Sequence, residues 1–226
     1  AKNIYEYNPD AKIIIFLREP VAFLKSLHSE RCDRLNENEE DFFKALELEK
    51  IRRKGESIPE SISSPSYLYY SQWADYESQI KRYVDLFGTN QIRVYFLENI
   101  AKNEKAIYED ILKFIGVNDT GFYPDVNIER NRSKRVRSKF LWKILKHSSI
   151  WKFVKDFVPE SMFGFLERLS YKVLFKKAEK KRLSEEEISS LKEEYLDRVI
   201  SLNKYLQDTG LITFRLLAFW GYEDLL

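Results

Sequence analysis

Arg18 and Ser26, eight residues apart, are the side chains whose types and spacing point most directly to chemistry. A guanidinium presents a planar fork of donors with a permanent positive charge, a serine hydroxyl adds a neutral donor, and together they suit the oxygens of a phosphate. A plainer reading stands beside this one. An arginine at the end of a strand is often solvated or paired with a carboxylate such as Glu19, and a serine inside a helix is often just exposed. A second basic feature runs from Arg130 to Lys146, where Arg130, Arg132, Lys134, Arg135, Arg137, Lys139, Lys143 and Lys146 occur with no acidic residue among them. Taken alone, such a run is a solvated face or a nonspecific contact for nucleic acid or membrane.

Other chemistries are poorly supplied. The 226 residues hold one cysteine, Cys32, and two histidines, His28 and His147. That excludes an internal disulfide framework and argues against a zinc site, so no metal is expected. His28, on the helix that follows Arg18, reads as a packing or surface residue rather than a base. Lysine and arginine (38) nearly balance aspartate and glutamate (36), so the net charge of +2 names no partner. No nucleic-acid partner is expected. The longest apolar stretches fall short of the ~18 residues of a membrane span, and the one at 211–220 is broken by Arg215. Neither a transmembrane segment nor a signal peptide is read, and a cytoplasmic location is expected.

The elements that must position Arg18 and Ser26 follow from hydrophobic pattern. Ile13 to Leu17 is an unbroken apolar run, which predicts a strand buried on both faces of a parallel sheet. Pro20 suits the first turn of a helix, and Val21, Leu24 and Leu27 recur at helical spacing. The unit is strand, arginine, helix, and ligands of open parallel sheets sit at the carboxyl ends of strands. The positive end of the helix dipole would then add to the clamp.

Further along, Phe42 to Ile51 predicts an amphipathic helix, and residues 56–66, with two prolines and five serines, a loop that is either a lid or a plain connector. Trp73, Tyr76, Ile80, Tyr83, Val84 and Phe87 share one helical face that Gly88 closes. A second apolar strand, Ile92 to Leu97, leads to Glu98, and Asn103 is read as capping a helix that Gly116 ends. After a loop at 117–138, helices are expected over 142–157 and 162–175. Ser184 and Glu187 form a capping box for a last long helix with Ile188, Leu191, Tyr195, Val199, Leu202 and Leu206 inward. The fold class is α/β, with a core over 1–138 and a helical part over 139–226.

The run Leu17, Arg18, Glu19, Pro20, Val21 with Ser26 resembles the 3′-phosphate-binding segment of the sulfotransferases that use PAPS, 3′-phosphoadenosine 5′-phosphosulfate. Tyr76, Ile80, Tyr83 and Phe87, then Phe96 to Ile100, then Lys113 to Gly116, are similar in order and spacing to the family's next segments. Asn131 to Ser138 is similar to its late basic segment, and Trp220 to a tryptophan near its end. The likeness covers residues 8–140 well and 183–226 loosely. It implies a P-loop-NTPase-like sulfotransferase fold, a parallel sheet flanked by helices. It implies PAPS as donor, with Arg18, Ser26 and Arg137 on the 3′-phosphate and Tyr76 on the adenosine side. The reaction implied is transfer of a sulfuryl group to a hydroxyl or amine of a carbohydrate, lipid or small molecule, leaving PAP. The alternative is a catalytically silent module that binds an anion or partner through the same core.

None of the seven glycines sits in a Lys-x-Gly-Thr-like phosphosulfate loop, and no residue matches the family's base. The chain opens on Ala1, Lys2 and Asn3 and runs almost at once into a strand, as if starting inside a domain. The expectation is a single sulfotransferase domain lacking its N-terminal part, inactive alone, because two apolar strands need neighbours on both sides.

Overall fold

The computed structural model describes residues 1–118, 121, 134–136, 175–177 and 183–226. The chain divides into two compact units: Ala1–Lys25, Tyr69–Val126 and Leu183–Leu226 form the first, and Ser26–Leu68 with Asn127–Arg182 the second.

The first unit is built on two parallel strands, β1 (Ile13–Leu17) and β2 (Ile92–Phe96), paired from Ile13↔Ile92 to Leu17↔Phe96. The strands therefore end level with each other. Alternation puts Ile15, Leu17, Val94 and Phe96 on the face that meets the core, while Phe16 lies on the other face beside Tyr95, ring centroids 5.7 Å apart. Burial of β1 on both faces is not what forms. Ile13, Ile14 and Ile15 are half-buried and Phe16 is 49% exposed, because the described sheet has two strands and β1 therefore has one strand neighbour.

Helices complete this unit. A short α1 (Lys2–Tyr7), for which the sequence has no periodic signal, sets Tyr5 edge-on to Phe87 at 5.3 Å. The strand β1 leads to α2 (Pro20–Asp33), which begins at the proline as expected. After one short helical turn, α5 (Tyr70–Trp73), the helix α6 (Tyr76–Phe87) starts under an Asp75 cap and buries Tyr76, Ile80 and Phe87. The helix α7 (Leu97–Ile115) follows β2 with no intervening loop, and Asn103, read as a cap, stands instead at a kink within it (φ −134°, ψ 34°).

The last long helix, α8 (Glu185–Asp208), opens on the expected reciprocal cap: Glu187 N–H donates to Ser184 Oγ at 3.1 Å and Ser184 N–H to Glu187 Oε2 at 2.7 Å. It buries Leu191, Tyr195, Val199, Leu202 and Leu206, but Ile188 in its first turn is 36% exposed. Buried Asn203, polar on an apolar face, is satisfied because its Oδ1 accepts from Leu216 N–H at 2.8 Å and so caps α9 (Leu216–Trp220). Leu17, Phe96, Tyr76, Ile80, Val199, Leu206, Leu216 and Trp220 meet in one core.

The second unit contains the later part of α2, α3 (Phe42–Glu47), α4 (Glu49–Arg52) and a short antiparallel pair, β3 (Lys134–Val136) with β4 (Phe175–Lys177). The single helix expected over 42–51 is two, broken at Leu48, which caps one and starts the other. The buried Arg52 and Glu37 form a bidentate pair (2.6 and 2.7 Å), and Arg52 Nε donates to the Ser57 carbonyl at 3.2 Å. That bond, with one from Ser61 Oγ to the Leu35 carbonyl, ties the 56–66 segment down at two points. The strand β3 falls where the pattern predicts a loop, and β4 begins at Phe175, the last residue of the helix expected over 162–175. Three-residue strands carry too little pattern to be read locally. The helix expected at 142–157, and that at 162–175 up to its last residue, lie outside the described residues. No helix among the described residues is long and apolar enough to cross a membrane.

Candidate functional site

Because β1 and β2 end level, the segments that leave them are neighbours. Arg18 and Glu19 leave β1 beside Glu98 in the first turn of α7, and three side chains from three elements hold that dipeptide. Tyr76 O–H, at the start of α6, donates to the Arg18 carbonyl at 3.0 Å. Glu19 N–H donates to Glu98 Oε1 at 2.8 Å, and Trp220 Nε1–H reaches Glu98 Oε2 at 3.4 Å. Tyr222 O–H, just beyond α9, donates to Glu19 Oε1 at 2.6 Å.

The Glu19 carboxylate folds back onto its own helix, accepting from Val21 N–H at 3.0 Å and Ala22 N–H at 2.7 Å. Pro20 has no N–H, so the first turn of α2 has its donors saturated by Glu19. The helix end therefore does not contribute the anion-binding pole expected of it. Its positive end is neutralised by a residue of the chain itself. The same geometry disposes of the pairing of Arg18 with Glu19, whose carboxylate is engaged elsewhere. Arg18 is half-buried as a residue, and its guanidinium makes no hydrogen bond or ion pair with any described residue. Its nitrogens are not among the buried polar atoms left without a partner, so they keep contact with solvent, from which an anion can approach.

Both tyrosines that hold this junction are buried. Burial pushes the Tyr76 phenol far above the ordinary tyrosine range, and Glu19 and Glu98 add to the rise while Arg18 opposes it. Burial does the same at Tyr222, again reinforced by Glu19. Each is held as a neutral phenol, the form that can donate.

Of the four residues read from the sequence, Arg18 and Tyr76 are brought together in the first unit, through the backbone carbonyl of the arginine. Ser26, half-buried on α2, belongs to the second unit, and its hydroxyl makes no hydrogen bond with any described residue. Arg137 lies outside the described residues. Sequence reasoning misses Glu98 and Tyr222 as parts of the site. Glu98 is legible only as the end of a strand, and no local signal marks Tyr222, whose partner is 203 residues away.

Two other places are less suited to a ligand. His28 is buried, with Nε2 2.9 Å from the Glu39 carbonyl, Cys32 Sγ at 3.5 Å and the Phe42 ring at 5.5 Å. It is a packing residue, and the carbonyl assigns the proton to Nε2. A cavity of about 280 Å³ beside Pro20 and Tyr76 is lined by Asp75, Glu77 and Asp197 with one arginine, Arg198, whose Nη1 donates to the Ser71 carbonyl at 2.6 Å. Its excess of carboxylates suits an anion poorly. Among the described residues no cluster of three or more histidine, cysteine or acidic side chains is placed to hold a metal ion.

No family model and no curated protein matches the chain. Among solved structures, the chain is similar to a sulfotransferase from Alicyclobacillus acidocaldarius, at 32% identity and a TM-score of 0.47, covering 57% of this chain and 49% of that one. The chain spans about half the length of that protein.

Proposed function

We propose that the chain carries the 3′-phosphate-reading part of a PAPS-dependent sulfotransferase. The observation that carries the reading is Arg18, at the level ends of two parallel strands, with its guanidinium left without an anionic partner among the described residues. The order of motifs from Leu17 to Gly116, which resembles the family's, supports it.

The donor set fits a phosphate monoester. By the resemblance, Arg18 supplies the fork, Ser26 a hydroxyl and Arg137 a second cation to the 3′-phosphate. Tyr76, which the resemblance gives to the adenosine side, holds the Arg18 carbonyl with its hydroxyl, while its buried ring packs against Phe23 and Trp220. None of these residues touches the transferring group. Their work is to select a 3′-phosphorylated nucleotide and fix its register, so that the binding energy of a remote group positions the reacting one. When bound, PAPS supplies the sulfuryl group: the bond from sulfur to the phosphate oxygen breaks, a bond from sulfur to the acceptor oxygen or nitrogen forms, and a base takes the acceptor proton. Residues 1–226 supply no phosphosulfate loop and no assigned base, so transfer is proposed for a protein in which those are present.

The test is a sulfate-transfer assay with radiolabelled PAPS and a panel of carbohydrate, lipid, and small hydroxyl and amine acceptors, run on residues 1–226 and on a chain extended upstream. Transfer by the extended chain, lost in Arg18→Ala and absent from residues 1–226, is the expected result. Nucleotide binding without transfer by either chain would leave a silent anion-binding module. Turnover by residues 1–226 alone would place the catalytic machinery within them, with His28 the first residue to replace.

A further inference from the structure

Tyr222 stands at a junction whose construction exceeds what packing a C-terminal residue needs. The helix α9 ends at Gly221 in the left-handed region (φ 67°), where a Cβ would also come within 3.3 Å of Lys192 Nζ. Lys192, from α8, donates to the carbonyls of Trp220 and Gly221 at 2.9 Å each and lies 4.8 Å from the centre of the Tyr222 ring. The turn is thereby fixed and the phenol aimed at one atom, Oε1 of Glu19, at 2.6 Å.

Glu19 is the acid closest in sequence to Arg18 and the natural competitor for its guanidinium. Its two oxygens accept from Val21 N–H, Ala22 N–H and Tyr222 O–H. Without the phenol the carboxylate would keep one donor on each oxygen and lose the third contact that anchors it, so that it could turn to the neighbouring arginine. An arginine paired to its own neighbour binds a phosphate less well, because the phosphate must first displace a carboxylate.

We propose that Tyr222 is a positioning residue that keeps the Glu19 carboxylate off the Arg18 guanidinium and so keeps the guanidinium open to a phosphate monoester. This rests on the reading of Arg18 as a phosphate-binding residue, and the C-terminal turn then controls the affinity of a site it does not touch.

The experiment is titration calorimetry of the full chain with 3′-phosphoadenosine 5′-phosphate and with 5′-AMP, on proteins whose folding is checked by circular dichroism. Tyr222→Phe keeps the ring and removes the hydroxyl. It is expected to weaken binding of the 3′-phosphorylated nucleotide roughly fivefold to twentyfold, with 5′-AMP changed less than about twofold. In an Arg18→Ala background the same substitution is expected to do nothing more. Glu19→Gln, which keeps the acceptor oxygen and removes the competing charge, is expected to restore most of the affinity lost by Tyr222→Phe.

A plain structural role would lower both nucleotides together and would not be rescued at position 19. Equal losses for the two nucleotides, a loss that persists without Arg18, or no rescue by Glu19→Gln would overturn the role of Tyr222 while leaving Arg18 in place. Wild-type protein that does not distinguish the two nucleotides, or Arg18→Ala that leaves the distinction intact, would overturn the reading of the site and this inference with it.

Discussion

At the scale of single residues, Arg18, Tyr76, Glu19 and Tyr222 differ in how far each can be read in advance. Arg18 is legible as the residue at the carboxyl end of a strand, because an apolar run stops at it and a proline follows. The part Glu19 plays is not, since a glutamate one residue past an arginine looks the same whether it pairs with that arginine or caps the helix. The two buried tyrosines carry a consequence for pH. Because burial raises both phenols above the ordinary value of about 10, the native state holds their protons more tightly than the unfolded chain does. Their contribution to stability is fully present below about pH 10 and is lost as pH rises beyond it. Urea denaturation at pH 8, 10 and 11 should show stability falling across the last interval, with a flatter fall in a Tyr76→Phe, Tyr222→Phe double variant. An equal fall in both proteins would mean that these phenols do not set the alkaline limit.

Among the elements, long helices are legible and short ones are not. Over α6 and α8 the 3.6-residue period repeats often enough to name the buried face, and Ile80, Val199 and Leu206 lie where it puts them. The single helix read at 42–51 fails because the pattern alone does not register the break at Leu48. The strands β3 and β4, three residues each, are made by pairing and not by local preference. For β1 the pattern yields the right type and bounds but the wrong environment: an apolar run predicts burial on both faces, but burial needs partners, and the described sheet supplies one neighbouring strand. Ile80, on the α6 face that meets the core, is among the most buried residues of the first unit. Ile80→Ala should cost about 2–5 kcal/mol of stability, measured by denaturant unfolding. A loss under about 1 kcal/mol would mean that the contact of α6 with the core is not well packed.

For the whole molecule, one juxtaposition in the first unit carries the functional reading, an arginine at the end of a parallel strand with no carboxylate paired to it among the described residues, together with the order of motifs around it. The acceptor site and the base are not legible, because no pattern within the 226 residues identifies them. The basic run containing Arg137 is legible as charge, but its position relative to Arg18 belongs to tertiary structure. Whether Arg18 reads a 3′-phosphate can be measured on the chain itself. Titration calorimetry of wild-type and Arg18→Ala protein against 3′-phosphoadenosine 5′-phosphate and against the same nucleotide without its 3′-phosphate decides it. A charge-assisted contact of ~1.5–3 kcal/mol predicts a loss of roughly tenfold to a hundredfold for the first nucleotide and little change for the second. Equal losses for the two, or no loss for either, would contradict the central claim.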